Sequence, residues 1–151
     1  MEETKLMYDI QMIARYIINR CNEKKRPISN QKLQKILYYI QAEFLVNLDK
    51  PCFSEEIQAW HHGPVVPEVY QHYRSYGATN IPGGQKNEGF ELISRQDKEH
   101  LDTIIDNTAK YSSSCLTEIT RRQSPWKCAY KVNDCVISQS AIKEYFTSDE
   151  D

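Results

Sequence analysis

The sequence is most informative at Glu56-Ile57-Gln58-Ala59-Trp60-His61-His62-Gly63-Pro64-Val65-Val66-Pro67-Glu68-Val69-Tyr70, fifteen residues that hold a strand, a turn and a helix start. Ile57 and Ala59 alternate with polar neighbours, as in a half-buried strand. Gly63-Pro64 ends that strand, and Pro67 suits the first turn of a helix, where its missing N–H leaves no hydrogen bond unmade. This combination of strand, turn and helix start is a specific marker of a fold. It predicts that Trp60 packs in the core rather than serving as an exposed contact residue.

Helical periodicity precedes this segment. Apolar residues three and four positions apart predict a first helix over about Asp9 to Lys24, with Asp9 as its N-cap. A second and stronger apolar stripe begins after Ser29, the predicted cap of the next helix, and Asp49-Lys50-Pro51 ends it.

Further helices follow downstream. Ser94 and Ser112 are predicted helix caps, and a last helix covers about Gln139 to Phe146. Phe90-Glu91-Leu92-Ile93 is typical of a short strand, which we expect to pair with the strand before Trp60. The fold class is therefore mainly α (α+β with a minor β element): a compact single domain of about six helices plus a short β-hairpin or strand pair.

Length and composition restrict the class of protein. A chain of 151 residues is about one domain, which we place at 1–151 with a core over about 8–146 and a frayed acidic tail at 147–151. A net charge of −2 argues against a strongly basic nucleic-acid binder. There is no apolar run of the ~20 residues that a membrane span needs, and Met1-Glu2-Glu3-Thr4-Lys5 lacks the layout of a signal peptide. We expect a cytoplasmic protein that has no membrane partner.

Catalytic and metal sites are not indicated. The five cysteines form no Cys-x-x-Cys pair, which favours free thiols over a disulfide framework or a zinc site. His61 and His62 would point to opposite faces of a strand, so they are poorly placed to share a metal ion. A Cys–His hydrolase that uses Cys52 stays as an alternative, but no activating context accompanies it. We expect no catalytic residue, no metal and no cofactor.

Three blocks of the sequence resemble one family. They are Ile28-Ser29-Asn30-Gln31-Lys32-Leu33-Gln34-Lys35-Ile36-Leu37-Tyr38-Tyr39, Ala59-Trp60-His61-His62-Gly63-Pro64-Val65-Val66-Pro67-Glu68-Val69-Tyr70, and Leu116-Thr117-Glu118-Ile119-Thr120 followed by Ser124-Pro125-Trp126. They are similar to the blocks of the Panacea domain family, the SocA-like antitoxins with their phage-associated GepA-like members. The family usually has His where this chain has Arg121.

The resemblance implies an antitoxin that neutralises a cognate toxin by direct protein–protein binding. It leaves delivery of the toxin to a ClpXP-type protease as an alternative. The motif residues that it marks for the fold or for partner contact are Lys32, Leu33, Lys35, Tyr38, Tyr39, Ala59, Trp60, Gly63, Pro64, Val65, Val69, Tyr70, Thr120, Pro125 and Trp126.

If the implied antitoxin function holds, we expect toxin contact at exposed parts of the blocks: Lys35, Tyr38, Tyr39, His61, His62, Tyr70 and Arg121. Among them, His61, His62 and Arg121 are the candidates for a partner surface. Basic residues cluster around Trp126, which is consistent with an acidic partner: Arg121, Arg122, Lys127 and Lys131.

A DNA-binding alternative rests on the second helix. Lys32 and Lys35 follow the Pro27 turn, so a helix-turn-helix that represses its own operon stays as an alternative, although a solvated polar helix face is favoured.

Overall fold

A computed structural model describes residues 7–148 of the chain. Seven α-helices and three β-strands lie within these residues. In chain order they are α1 (Ile10–Glu23), α2 (Asn30–Glu43), β1 (Ile57–Trp60), β2 (Gly63–Val65), α3 (Pro67–His72), α4 (Arg95–Ala109), α5 (Ser113–Arg121), α6 (Ser124–Tyr130), β3 (Val136–Ile137) and α7 (Gln139–Ser148). The mainly α prediction with a minor β element is confirmed.

The predicted helix starts are confirmed by their caps. Asp9 accepts a hydrogen bond from the Met12 amide at 3.0 Å, and Ser29 accepts one from the Lys32 amide at 3.3 Å. Ser94 and Ser112 cap α4 and α5 in the same way. Each side-chain oxygen satisfies an amide of the first helical turn, which has no partner inside the helix.

Helix α2 ends in an unusual way. It continues as a π-helical turn over Phe44–Leu48 and stops at Asp49, whose φ of 54° is left-handed. Gln41 then holds the chain that returns, because its Oε1 accepts from the Cys52 amide at 2.8 Å and its Nε2 donates to the Phe53 carbonyl at 2.9 Å. The buried amide of Gln41 thereby directs the chain from α2 toward β1.

The sheet differs from the prediction in two ways. Gly63-Pro64 does not simply end β1: it opens β2, which pairs antiparallel with β1 in a hairpin. The second neighbour of β1 is β3, with Ile57 opposite Ile137, so the strand order is β2-β1-β3. The predicted strand at Phe90–Ile93 is wrong, since Phe90–Leu92 forms a 3-10 helical turn whose Phe90 ring packs edge-on against Tyr16.

Helix α2 is the centre of the core. It packs against α1, α4, α5 and the hairpin, and its apolar stripe is fully buried. The stripe consists of Leu33, Ile36, Leu37 and Ile40, and it continues to Phe44 in the π-helical turn. Burying such a side chain contributes roughly 1.5–3 kcal/mol, so this stripe contributes substantially to core stability. Within residues 7–148 no helix combines the length and apolarity that crossing a bilayer requires.

The structure describes only the first two residues of the predicted frayed tail. Thr147 and Ser148 belong to α7, which extends two residues beyond the predicted end at Phe146. Residues 149–151 lie outside the described part of the chain, as do residues 1–6 with the segment examined for a signal peptide.

Candidate protein-binding face

A tight β-hairpin places two histidines at the surface. Trp60 pairs with Gly63, so His61 and His62 form a two-residue turn. Both are exposed, and their rings touch at a centroid distance of 5.3 Å, in contrast to the opposite faces expected of a strand. Thr117 of α5 donates from its hydroxyl to the His62 carbonyl at 3.2 Å. The hairpin tip is thereby attached to α5.

Gly63 is required at the end of this turn. Its φ of +117° lies in a region that residues with a side chain rarely adopt. A Cβ atom at this position would also lie 3.0 Å from Cε of Lys35 and 3.2 Å from Oγ1 of Thr120. Glycine therefore lets the hairpin approach α2 and α5 closely.

Lys35 lies in the interior, which corrects a prediction. We expected it on a solvated helix face, but it is only 1% exposed, beneath Gly63. Burial lowers the pKa of its amine to about 8. No ion pair within residues 7–148 involves it.

Lys32 is half-buried, and its amine donates to the Ala109 carbonyl at 2.7 Å. A helix that reads DNA presents its basic residues to the phosphates. Neither Lys32 nor Lys35 is placed for that role, so the helix-turn-helix alternative loses the residues on which it rested.

Two amide side chains of α2 hold the end of the hairpin. Gln34 accepts from the Val66 amide at 2.9 Å and donates to Asn30 Oδ1 at 2.9 Å. Asn30 in turn donates to the Tyr70 carbonyl at 3.0 Å. Both amides are buried, and they satisfy backbone groups that would otherwise lack partners in the core.

A second buried link joins α2 to the start of α6. The Tyr38 hydroxyl donates to Gln123 Oε1 at 2.7 Å, and Gln123 Nε2 donates to the Tyr39 hydroxyl at 3.2 Å. Gln123 is the N-cap residue of α6 and is 6% exposed. The paired tyrosines of the first block therefore fix the corner between α5 and α6.

The two indoles connect the hairpin to α6. Trp126 is 4% exposed and donates from Nε1 to the Trp60 carbonyl at 2.9 Å. Trp60 itself is only half-buried and packs edge-on against Tyr70 at 5.2 Å. Trp126, rather than the expected Trp60, is thus the buried indole.

Arg121 lies at the outer edge of this arrangement. Its guanidinium carbon is 4.7 Å from the centroid of the Trp126 ring, a cation–π contact. The Nε atom is buried without a hydrogen-bond partner in the described part of the chain. Tyr130, which follows Trp126 in the sequence, stacks on the indole with the two ring centroids 4.4 Å apart.

The motif residues divide into an interior set and a smaller outer set. Most are buried and hold the fold: Leu33, Lys35, Tyr38, Ala59, Gly63, Pro64, Val65, Val69, Thr120, Pro125 and Trp126. Four are half-buried: Lys32, Tyr39, Trp60 and Tyr70. Of the candidates for a partner surface, Arg121 is half-buried and His61 and His62 are exposed.

The buried amides Asn30, Gln34, Gln41 and Gln123 were not among the predicted site residues. Three of them were detectable in the sequence. Asn30, Gln34, Tyr38 and Gln41 recur at intervals of three or four residues, so they share the apolar side of α2. Gln123 carries no such signal, because its partner Tyr38 is 85 residues away.

Comparison with known families defines the class of protein. The family model described as "Antitoxin SocA-like, Panacea domain" matches residues 33–127, more than half of the chain. This region contains most of the first block and all of the second and third. The chain belongs to the SocA-like Panacea family, as the sequence predicted.

A curated relative agrees with this assignment. The chain is 35% identical over 73 residues to the protein named Antitoxin SocA from Caulobacter vibrioides (strain NA1000 / CB15N). The match covers 48% of this chain and 39% of that relative, so the chain aligns with well under half of the relative's length. No solved structure matches the chain significantly.

Proposed function

We propose that this protein is an antitoxin that neutralises a cognate toxin by direct binding. One observation carries the proposal: the three family blocks, distant in sequence, meet around the hairpin and fix its tip against α5. Their buried members support the structure from within, which leaves His61, His62 and part of Arg121 toward the outside. Family membership and the relative named an antitoxin support the same function.

The chemistry of the interior favours binding over catalysis. A catalytic thiol needs a depressed pKa, but burial raises the pKa of Cys21 to about 11 and also raises that of Cys52. The amides of Gln34 and Gln41 are bound to backbone groups, which suits a supporting role. These features support a scaffold whose outer surface contacts another protein.

Co-expression tests the proposal. The partner to use is the product of the adjacent gene, expressed from an inducible promoter in a host whose growth it stops. We expect the wild-type chain to restore growth and to co-elute with that protein on size exclusion. The double variant His61→Ala/His62→Ala should fold normally but restore growth poorly, because both side chains are exposed at the tip.

A matched control lies on another part of the surface. Arg95→Ala/Lys98→Ala also removes two exposed polar side chains, from the first turn of α4, and should restore growth as well as wild type does. Failure of the wild-type chain both to restore growth and to form a complex would refute the antitoxin proposal. The amount of toxin in cells with and without a ClpXP-type protease separates two mechanisms. Toxin that persists in the complex indicates occlusion. Toxin that is lost only when the protease is present indicates delivery to that protease.

A further inference from the structure

The segment over α5 and α6 has a positive charge that the whole chain lacks. Residues 113–131 contain four cations (Arg121, Arg122, Lys127, Lys131) and one acid, Glu118, which gives a net charge of +3 against −2 for the chain. Glu118 pairs with Arg122 at 2.7 Å, but both side chains are mostly exposed, so the pair is weak. This surface is therefore suited to a negatively charged partner.

Arg121 is the residue of this segment that stands out. The described chain has three half-buried arginines, and two of them are fully engaged. Arg15 donates to the carbonyls of Lys86 and Glu88, and Arg20 forms a two-pronged pair with Asp106. The guanidinium of Arg121 has no carboxylate or carbonyl acceptor within residues 7–148, although its Nε is buried. The buried Nε is out of reach of a partner, so a partner's carboxylate would bind the two terminal nitrogens of the Arg121 guanidinium.

The contacts of Arg121 hold it in position for such a partner. Stacking over Trp126 restricts the guanidinium, and Trp126 is itself fixed by its hydrogen bond to the hairpin. Thr117, one helical turn before Arg121, bonds to the hairpin tip. The residues along this surface, here called the Arg121 strip, are His62, Thr117, Arg121, Trp126 and Tyr130.

We propose that the Arg121 strip binds an acidic segment of the toxin, with one carboxylate hydrogen-bonded to the Arg121 guanidinium. This inference rests on the proposed antitoxin function and specifies the chemistry of the partner. The rigid fork of arginine donors matches a carboxylate, and arginine and aromatic residues are enriched at the centres of protein interfaces. Tyr130 is 43% exposed next to Trp126 and provides apolar contact area beside the charge.

A protein partner fits the strip better than a nucleic acid. Nucleic-acid affinity needs several unpaired cations along a backbone, and α2 does not add any, because Lys35 lies inside the fold and the half-buried Lys32 donates to the Ala109 carbonyl. The negative net charge of the whole chain also disfavours a polyanion. A carboxylate on a folded partner needs only the single fork of Arg121.

Binding constants of substituted chains test this inference. The complex with the product of the adjacent gene is formed from purified components, and its dissociation constant is measured by titration calorimetry at low and physiological salt. We expect Arg121→Glu to weaken binding by about 30-fold or more, because it places a carboxylate against a carboxylate. Arg121→Lys keeps the charge but loses the fork and the stacking, so we expect a loss of about tenfold.

Matched controls separate charge from folding. Arg95→Glu makes the same charge reversal on the first turn of α4 and should bind within about twofold of wild type, because distant rim charges contribute little. Thermal unfolding checks each variant. If Arg121→Glu is unstable, Arg121→Gln removes the charge with a smaller change in shape and should still weaken binding.

Three results would overturn the inference. If Arg121→Glu and Arg121→Gln both bind the toxin as tightly as wild type does, the toxin does not use the Arg121 strip, while the antitoxin function stands. Tight binding of a promoter DNA duplex that Arg121→Glu abolishes would assign the strip to nucleic acid instead. Absence of any complex with the wild-type chain would remove the inference and the proposed function together.

Discussion

At the scale of single residues, Lys35 has the most unusual environment. Its amine is buried beneath Gly63, and its pKa falls from 10.5 to about 8. The unfolded chain therefore binds this proton more tightly than the folded chain, so protonation opposes folding. The penalty is complete below about pH 8 and disappears as the pH rises to 10.5. At about 1.4 kcal/mol per pKa unit it amounts to about 3 kcal/mol.

Lys35→Met should remove this penalty, because methionine keeps most of the apolar stem that packs against Gly63. We expect the variant to be more stable than wild type at neutral pH, by up to about 3 kcal/mol, and to lose this advantage as the pH approaches 10.5. Urea unfolding of both proteins across this range measures the difference. Buried Cys21 and Tyr38 also respond to alkaline pH, but they do so in both proteins and cancel in the comparison.

A stability difference that stays constant with pH would contradict the burial of a titrating amine. Lys98→Met is the control, since it makes the same substitution at an exposed position on α4. The sequence did not reveal the position of Lys35. Gln31, Lys32 and Gln34 near it are polar, which favoured a solvated helix face, and only the close approach of Gly63 places the hairpin over it.

At the scale of elements, the link between α2 and the hairpin depends on Gln34. We expect Gln34→Met to destabilise the protein by about 1–3 kcal/mol, because it leaves the buried Val66 amide without an acceptor. Hydrogen exchange of the amides of Gly63, Val65 and Val66 should accelerate more than exchange within α1. Thermal unfolding and exchange mass spectrometry measure both effects.

Gln31→Met on the same helix is the matched control. Gln31 is half-buried, and within residues 7–148 its side chain accepts no hydrogen bond from a buried amide as Gln34 does, so this variant should stay within about 0.5 kcal/mol of wild type. Equal destabilisation by the two substitutions would mean that the Gln34 bond does not hold the hairpin.

Elements with strong local signals could be predicted from the sequence. The capped helices behind Asp9, Ser29, Ser94 and Ser112 start where expected, because a cap and an apolar stripe are local features. β3 was missed because two residues, Val136–Ile137, are too few to show alternation. Phe90–Ile93 has the composition of a strand, but Phe90 packs against Tyr16 in a helical turn instead.

The candidate site was also only partly predictable, because some of its residues carry a local sequence signal and others depend on distant contacts. His61, His62 and Arg121 were predicted from the sequence, and in the structure Thr117 bonds to the His62 carbonyl while Arg121 stacks over Trp126. The roles of Lys35 and Gln123 depend on partners far along the chain, such as the bond from Tyr38 to Gln123. Long-range contacts of this kind leave no pattern in a single sequence.

At the scale of the whole molecule, the family blocks form one connected support under one surface. Helix α2 holds the hairpin through Gln34 and holds the α5–α6 corner through Tyr38, so both parts of the proposed binding face share one central helix. The α1–α4 side is closed instead by ion pairs such as that of Arg20 with Asp106. The central claim is that the toxin contacts the hairpin tip and the α5–α6 surface.

Hydrogen exchange of the protein with and without the product of the adjacent gene tests this claim most directly. We predict slower exchange in the complex at residues 61–62 and 113–130, with little change in α1 and α4. Protection confined to α1 and α4, with the hairpin tip and α5–α6 exchanging as in the free protein, would contradict the account.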